Sequence, residues 1–127
     1  MQLDTDKNGL VVFFKPWQVP LVDELFERTL TSGQAQKFLE DHDIRTTQRG
    51  RGPVSRASAI FFMNEMVDWG LLDYSEETGR GGYHRIYKMV LTREEFAHKI
   101  TGLFVSKLLE VFPTESLTFL WPRPKER

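Results

Sequence analysis

The chain has 127 residues, 40% of them apolar, with ten Phe and three Trp but no Cys. That is enough for one packed domain, and it excludes a disulfide framework, a thiol nucleophile and a cysteine-built zinc site while suiting a reducing cytoplasm. The formal net charge of −1 argues against a nonspecifically sticky nucleic-acid coat.

Residues 1–19 read as an N-terminal arm. Gly9 to Lys15 is β-branched and aromatic and is stopped by Pro16, which predicts a short strand or an extended segment packed on the core. Its apolar run, Leu10 to Phe14, is far short of the roughly 20 residues that span a bilayer. The start, Met1-Gln2-Leu3-Asp4, lacks the basic opening and long apolar stretch of a secretory signal. No membrane partner is expected, and the predicted location is the cytoplasm.

Pro20 predicts the first turn of a helix, where a missing N–H costs nothing, running to about Leu30 with Leu21, Val22, Leu25 and Phe26 inward. Thr31 and Ser32 are candidate N-caps for a second helix, Gly33 to about Asp41, with Ala35, Phe38 and Leu39 on one stripe. The following stretch, HDIRTTQRGRGP, is too polar and glycine-rich for a regular element. It exceeds the turn of about 3–4 residues usual between the helices of a helix-turn-helix.

Ser55 caps a third helix whose inward stripe is Ala59, Phe62, Met63 and Met66, and Gly70 fits a closing residue with positive φ. Opposite the stripe lie Arg56, Ala57, Ile60, Phe61 and Asn64. Ile60 and Phe61 are unusual for a free surface: either the helix is wrapped on two sides or these side chains meet a partner, and packing of Phe61 on the N-terminal arm is favoured over contact with a thymine methyl. Leu71 to Glu77 and Tyr83 to Leu91 predict a hairpin with Arg80 at a glycine-rich tip. Alternation places Arg85, Tyr87 and Met89 on one face of its second strand and His84, Ile86 and Lys88 on the other.

Thr92 and Glu95 form a capping box opening a helix from Arg93 to about Phe112. Its stripe of Phe96, Ile100, Leu103, Phe104, Leu108, Val111 and Phe112 exceeds what so small a core needs, so it predicts a homodimer surface. Pro113, Pro122 and Pro124 predict a tail that is irregular or docked through Leu117, Phe119 and Trp121.

This order is a mostly α fold with a small β-hairpin (α+β). It predicts a winged helix-turn-helix over residues 20–91 and a dimerisation helix and tail over 92–127. A recognition helix of this kind sits in a DNA major groove while the hairpin lies on flanking backbone. The charge pattern agrees: residues 45–58 carry four Arg and no acid, and 80–107 carry six bases against two acids. A DNA-binding face needs local positive charge, not a basic total. Ser55, Arg56, Ala57, Ser58, Ile60 and Phe61 are the candidate base-reading residues, with Arg56 suited to guanine O6 and N7. Arg45, Arg49, Arg51, Arg80, His84 and Arg85 are candidate phosphate contacts. The three histidines have no metal-ligand spacing, and no phosphate-binding loop, nucleophile elbow or dinucleotide fingerprint is present. No metal, cofactor or enzymatic activity is predicted, and no effector is indicated.

The run SRAS at 55–58, VDWGLL at 67–72, ETGRGGYHRIY at 77–87 and TREEF at 92–96 resembles winged-helix repressors of the penicillinase-repressor type (BlaI/MecI/CopY family), in a form common among archaeal regulators. The similarity covers roughly residues 20–112. It implies a homodimeric repressor on a dyad operator, joined through C-terminal helices, with Arg56, Ala57, Ser58, Ile60 and Phe61 at the reading positions. The C-terminal cysteine cluster of metal-sensing members is absent. Two other functions fit the pattern: a winged-helix protein-interaction module, and a sequence-indifferent subunit of a nucleic-acid machine.

Overall fold

The computed structural model describes residues 1–46, 52–79 and 82–120. Among them lie five α-helices and a three-stranded antiparallel sheet, a mixed α+β chain. The chain divides into two compact units, Met1–Val90 and Leu91–Arg127. The first 19 residues belong to the first unit, and no helix of the described residues is long and apolar enough to cross a membrane.

The first unit opens with a correction. Gly9–Val12 forms a 3₁₀ turn, not a strand. β-branched composition favours a strand only where a neighbour completes the ladder. Here the turn is closed locally, Phe13 N–H donating to Leu10 O at 3.0 Å. The first residues fold back on it through Gln2 N–H to Phe13 O (3.0 Å) and Asp4 N–H to Val12 O (2.8 Å). The expected packing survives, since Phe14 and Trp17 are both buried.

Helix α1 (Gln18–Glu27) carries Pro20 in its first turn and buries Leu21, Val22 and Leu25. It stops short of the predicted end. Arg28 is extended, and Leu30–Thr31 form strand β1. Two residues carry no readable period, so sequence could not separate this strand from the helix before it.

Helix α2 (Ser32–Asp41) starts from a capping box in which Thr31 Oγ1 accepts from Gln34 N–H at 3.2 Å and Gln34 Oε1 accepts from Thr31 N–H at 2.9 Å. Ala35, Phe38 and Leu39 are buried as their spacing predicts. In the long connection, Val54 N–H donates to Ile44 O at 2.8 Å.

Helix α3 (Arg56–Asp68) buries Ala59, Phe62, Met63 and Met66, the predicted stripe. Phe62 meets Phe14 and Trp17 edge-on, with ring centroids 5.8 and 5.5 Å away, a favoured aromatic geometry. The helix closes as expected at Gly70, where φ is +74°. Gly70 N–H donates to Val67 O and Leu71 N–H to Met66 O, both at 2.9 Å. This paired closure satisfies carbonyls that a helix end otherwise leaves bare.

Strands β2 (Asp73–Gly79) and β3 (Gly82–Lys88) pair from Asp73 opposite Lys88 to Gly79 opposite Gly82. Strand β1 joins the other edge of β3, with Leu30 opposite Tyr87 and Thr31 opposite Ile86, giving the order β1-β3-β2. Leu30 and Tyr87 are both buried, so this short strand ties the hairpin to the core.

In the second unit, helix α4 (Arg93–Val111) begins with the predicted capping box of Thr92 and Glu95. Part of the tail is regular where an irregular or docked segment was expected: Pro113–Leu120 form helix α5, and residues 121–127 lie outside the described residues. Phe112, at φ −130° and ψ 68°, breaks the helical path, and Pro113 then occupies a first-turn position where its ring is pre-set and no N–H is needed.

Candidate functional site

Three elements of the first unit supply the residues of interest: the start of α2, the start and outer face of α3, and β3. Ser55 is extended (φ −68°, ψ 157°), and its Oγ accepts from Ser58 N–H at 3.1 Å. Both serines are therefore engaged in the cap. Arg56 follows as the first helical residue and is exposed. Its Nη2 donates to Ser32 Oγ at 2.9 Å, which draws the guanidinium sideways toward α2.

Arg56 borders an open cleft of about 400 Å³ lined also by Thr31, Ser32, Gly33, Gly82, Tyr83 and His84. Tyr83 is 80% exposed. His84 stands opposite Glu77 in the β2–β3 register, with Nε2 4.0 Å from Glu77 Oε2. Gly79 makes room for it: a Cβ there would fall 3.0 Å from His84 Cε1, closer than the ring permits without moving. Sequence reasoning selected Arg56 and His84 but missed Thr31, Ser32, Gly33 and Tyr83, which only the fold brings beside them. The sole sequence signal was the pair of candidate caps, Thr31 and Ser32.

On the outer face of α3, Ala57 is exposed, Ile60 is half-buried and Phe61 is 69% exposed. Phe61 does not pack away on the N-terminal arm; the arm's Phe14 and Trp17 take Phe62 instead. Asn64 is not on the free outer face. Its Oδ1 accepts from Arg85 Nη1 at 3.0 Å and from Tyr87 Oη at 2.6 Å.

That network engages Arg85, expected as a phosphate contact, on the side of the hairpin that faces α3. Its guanidinium is held by Asn64 and lies 4.0 Å over the Tyr74 ring, a cation–π geometry. The alternation that separates His84 from Arg85 turns one toward the cleft and the other toward α3. Burial raises the pKa of Tyr87 above its ordinary 10.0, while the neighbouring Arg85 charge pulls the other way. The phenol is held neutral as a donor to Asn64.

Arg45 pairs with Asp43, Nε to Oδ1 at 3.1 Å, so its charge is partly met within its own loop. Arg49, Arg51 and Arg80 lie outside the described residues.

The predicted α4 stripe divides. Phe96 and Ile100 are buried within the chain and so are unavailable to a second copy, while Leu103 and Phe104 are half-buried. Leu108, Val111 and Phe112 are exposed, together with Leu117, Phe119 and Leu120 of α5. The exposed apolar side chains of the second unit thus lie at the end of α4 and on α5. Comparison with family models, with curated proteins and with solved structures returned no match.

Proposed function

We propose that the first unit is a winged helix-turn-helix and that the chain is a homodimeric DNA-binding transcription regulator, with α3 in the major groove and the β2–β3 hairpin on the flanking backbone. The single observation that carries this reading is the first turn of α3. It is capped at Ser55 and exposed at Arg56 and Ala57, and Arg56 lines one cleft with Tyr83 and His84 of the hairpin. The element order α1-β1-α2-α3-β2-β3 with sheet order β1-β3-β2 supports the winged form. The acid-free, four-arginine run over 45–58 supplies local positive charge for phosphates.

Fluorescence anisotropy against a pool of random duplexes at two salt concentrations tests the proposal. Binding should strengthen steeply as salt falls, and selection from the pool should return a dyad sequence. Folded protein that binds no duplex at low salt would end the reading.

The dimer half of the proposal rests on the exposed ends of α4 and α5. Neighbouring apolar side chains of this kind mark interaction surfaces on soluble proteins, and two linked readers gain affinity through effective concentration. Leu108→Asp combined with Phe119→Asp should give a folded monomer by analytical ultracentrifugation. A wild-type chain that sediments as a monomer at all concentrations would remove this half alone.

A second reading, a protein-interaction module, is favoured by Phe61 at 69% exposure and by the exposed acids Asp73, Glu76 and Glu77 along β2. Recovery of a stoichiometric protein partner that is lost with Phe61→Ala, in a chain indifferent to DNA, would select it.

A further inference from the structure

Resting on the DNA-binding reading, we infer that the cleft between α2, α3 and β3 is a seat for a phosphate group of the DNA backbone, and that Arg56 holds that phosphate and does not read a base. Among the described residues the cleft is lined by Arg56, His84, Tyr83, Thr31, Ser32, Gly33 and Gly82, with no carboxylate residue in the lining itself, while the Glu77 carboxylate stands behind His84 at 4.0 Å. A hollow lined by an arginine, a histidine and hydroxyl groups favours an oxyanion over a cation or an apolar group. Its size, about 400 Å³, is on the order of ten water volumes, room for a hydrated phosphodiester.

The direction of Arg56 is the second argument. A base-reading arginine must project from the outer face of its helix so that two parallel N–H groups reach guanine O6 and N7. Arg56 instead lies across the start of α3, tied to Ser32 of α2 at 2.9 Å. That bond uses one of five N–H donors and holds the guanidinium beside Ser32 in the cleft lining. Ala57 and Phe61, not Arg56, face outward from the helix without such a tie. Neither α2 nor α3 has an acid in its first turn, so on the Arg56 side of the cleft neither helix start sets a carboxylate against an incoming anion; Glu77 lies against His84 on the other side.

Two consequences separate this role from base reading. Arg56→Ala should weaken every duplex by about the same factor, roughly tenfold, and should lower the salt slope by about one. Arg56→Lys should restore part of the affinity, because a point charge can still meet a phosphate.

The experiment pairs duplex titrations with NMR of the full chain. Wild type, Arg56→Ala and Arg56→Lys are titrated with a preferred duplex and its single-base variants, after circular dichroism confirms folding. The same proteins are then titrated with inorganic phosphate while the His84 and Tyr83 side-chain resonances are followed. Uniform loss across sequences in Arg56→Ala, with phosphate moving both resonances in wild type but not in that variant, is the expected result. Loss of preference at one base pair with other duplexes bound normally would overturn the inference, as would wild-type resonances that phosphate leaves in place. Phosphate-responsive resonances in a protein that binds no duplex would refute the DNA assignment separately, leaving a seat for a free phosphate compound.

Discussion

Phe61 and Phe62 are neighbours on α3 with opposite surroundings. Phe62 is 2% exposed and is met edge-on by Phe14 and Trp17; Phe61 is 69% exposed. The backbone turns by about 100° per residue in a helix of 3.6 residues per turn, and that rotation alone moves a phenyl ring from the core to solvent. The difference between them is the difference between the two faces. The inner face is chosen for volume and shape, and the outer one retains a large apolar group that folding does not require. Phe61 therefore contributes nothing to the packed core, and what it does on the outer face is open to a direct test.

The sharpest way to break this comparison is to truncate each ring. Phe62→Ala should destabilise the fold by about 3–5 kcal/mol, the range for a buried aromatic whose cavity cannot fully collapse. Phe61→Ala should fall within about 0.5 kcal/mol of wild type, as exposed substitutions do, while changing ligand binding. Urea denaturation measures both. A large stability loss from Phe61→Ala would mean that the outer face is packed and that the functional reading of α3 is misplaced.

Asn64 sits between the two faces and sharpens the contrast. Its carboxamide oxygen accepts from both Arg85 and Tyr87, joining the inner side of the hairpin to α3. Asn64→Ala leaves a part-buried guanidinium and a buried phenol without this acceptor. The expected cost is about 1–3 kcal/mol, less than Phe62→Ala and more than Phe61→Ala. If denaturation places Asn64→Ala beside Phe61→Ala, then water replaces the carboxamide and the network does not anchor the hairpin.

What could be read from sequence follows the same division. The inner stripe of α3 and the caps at Thr31, Ser55 and Thr92 were legible because each depends on residues within one turn of each other. Strand β1 was not, since Leu30–Thr31 becomes a strand only by pairing with Tyr87 and Ile86 more than fifty residues away. The arm composition misled because a strand-like segment with no sheet neighbour closed on itself. For the candidate site, spacing picked out Arg56 and His84 but could not tell that Arg85 would be captured by Asn64, or that Ser32 would draw Arg56 aside. Such pairings join positions 21 and 24 residues apart, and no local pattern reports them. The two adjacent basic side chains of β3 show the limit: alternation separated them correctly but did not say which one faced inward.

The smallest effects separate the start of α3 from the start of α4. Helix α4 opens with Glu94 and Glu95, and the Glu95 carboxylate accepts from Thr92 N–H at 2.9 Å. That backbone bond, reinforced by the Thr92 side chain, lowers the Glu95 pKa below its ordinary value of 4.5. A depressed folded-state pKa contributes stability that is present above the ordinary value and is lost as pH falls through the lowered one. The α4 cap should therefore weaken in acid, and Glu95→Gln, which keeps an acceptor but cannot titrate, should flatten that part of the stability profile. The start of α3 uses Ser55 and no acid. Ser55→Ala should cost about 1 kcal/mol by an amount that does not change across the same pH range. An acid in the first turn of α3 would stabilise the helix through its dipole, and α3 has none there. Thermal melts of the two variants from neutral pH down through the glutamate range test the contrast. A cost for Ser55→Ala that tracks pH as closely as the α4 cap would show that the two helix starts are chemically alike.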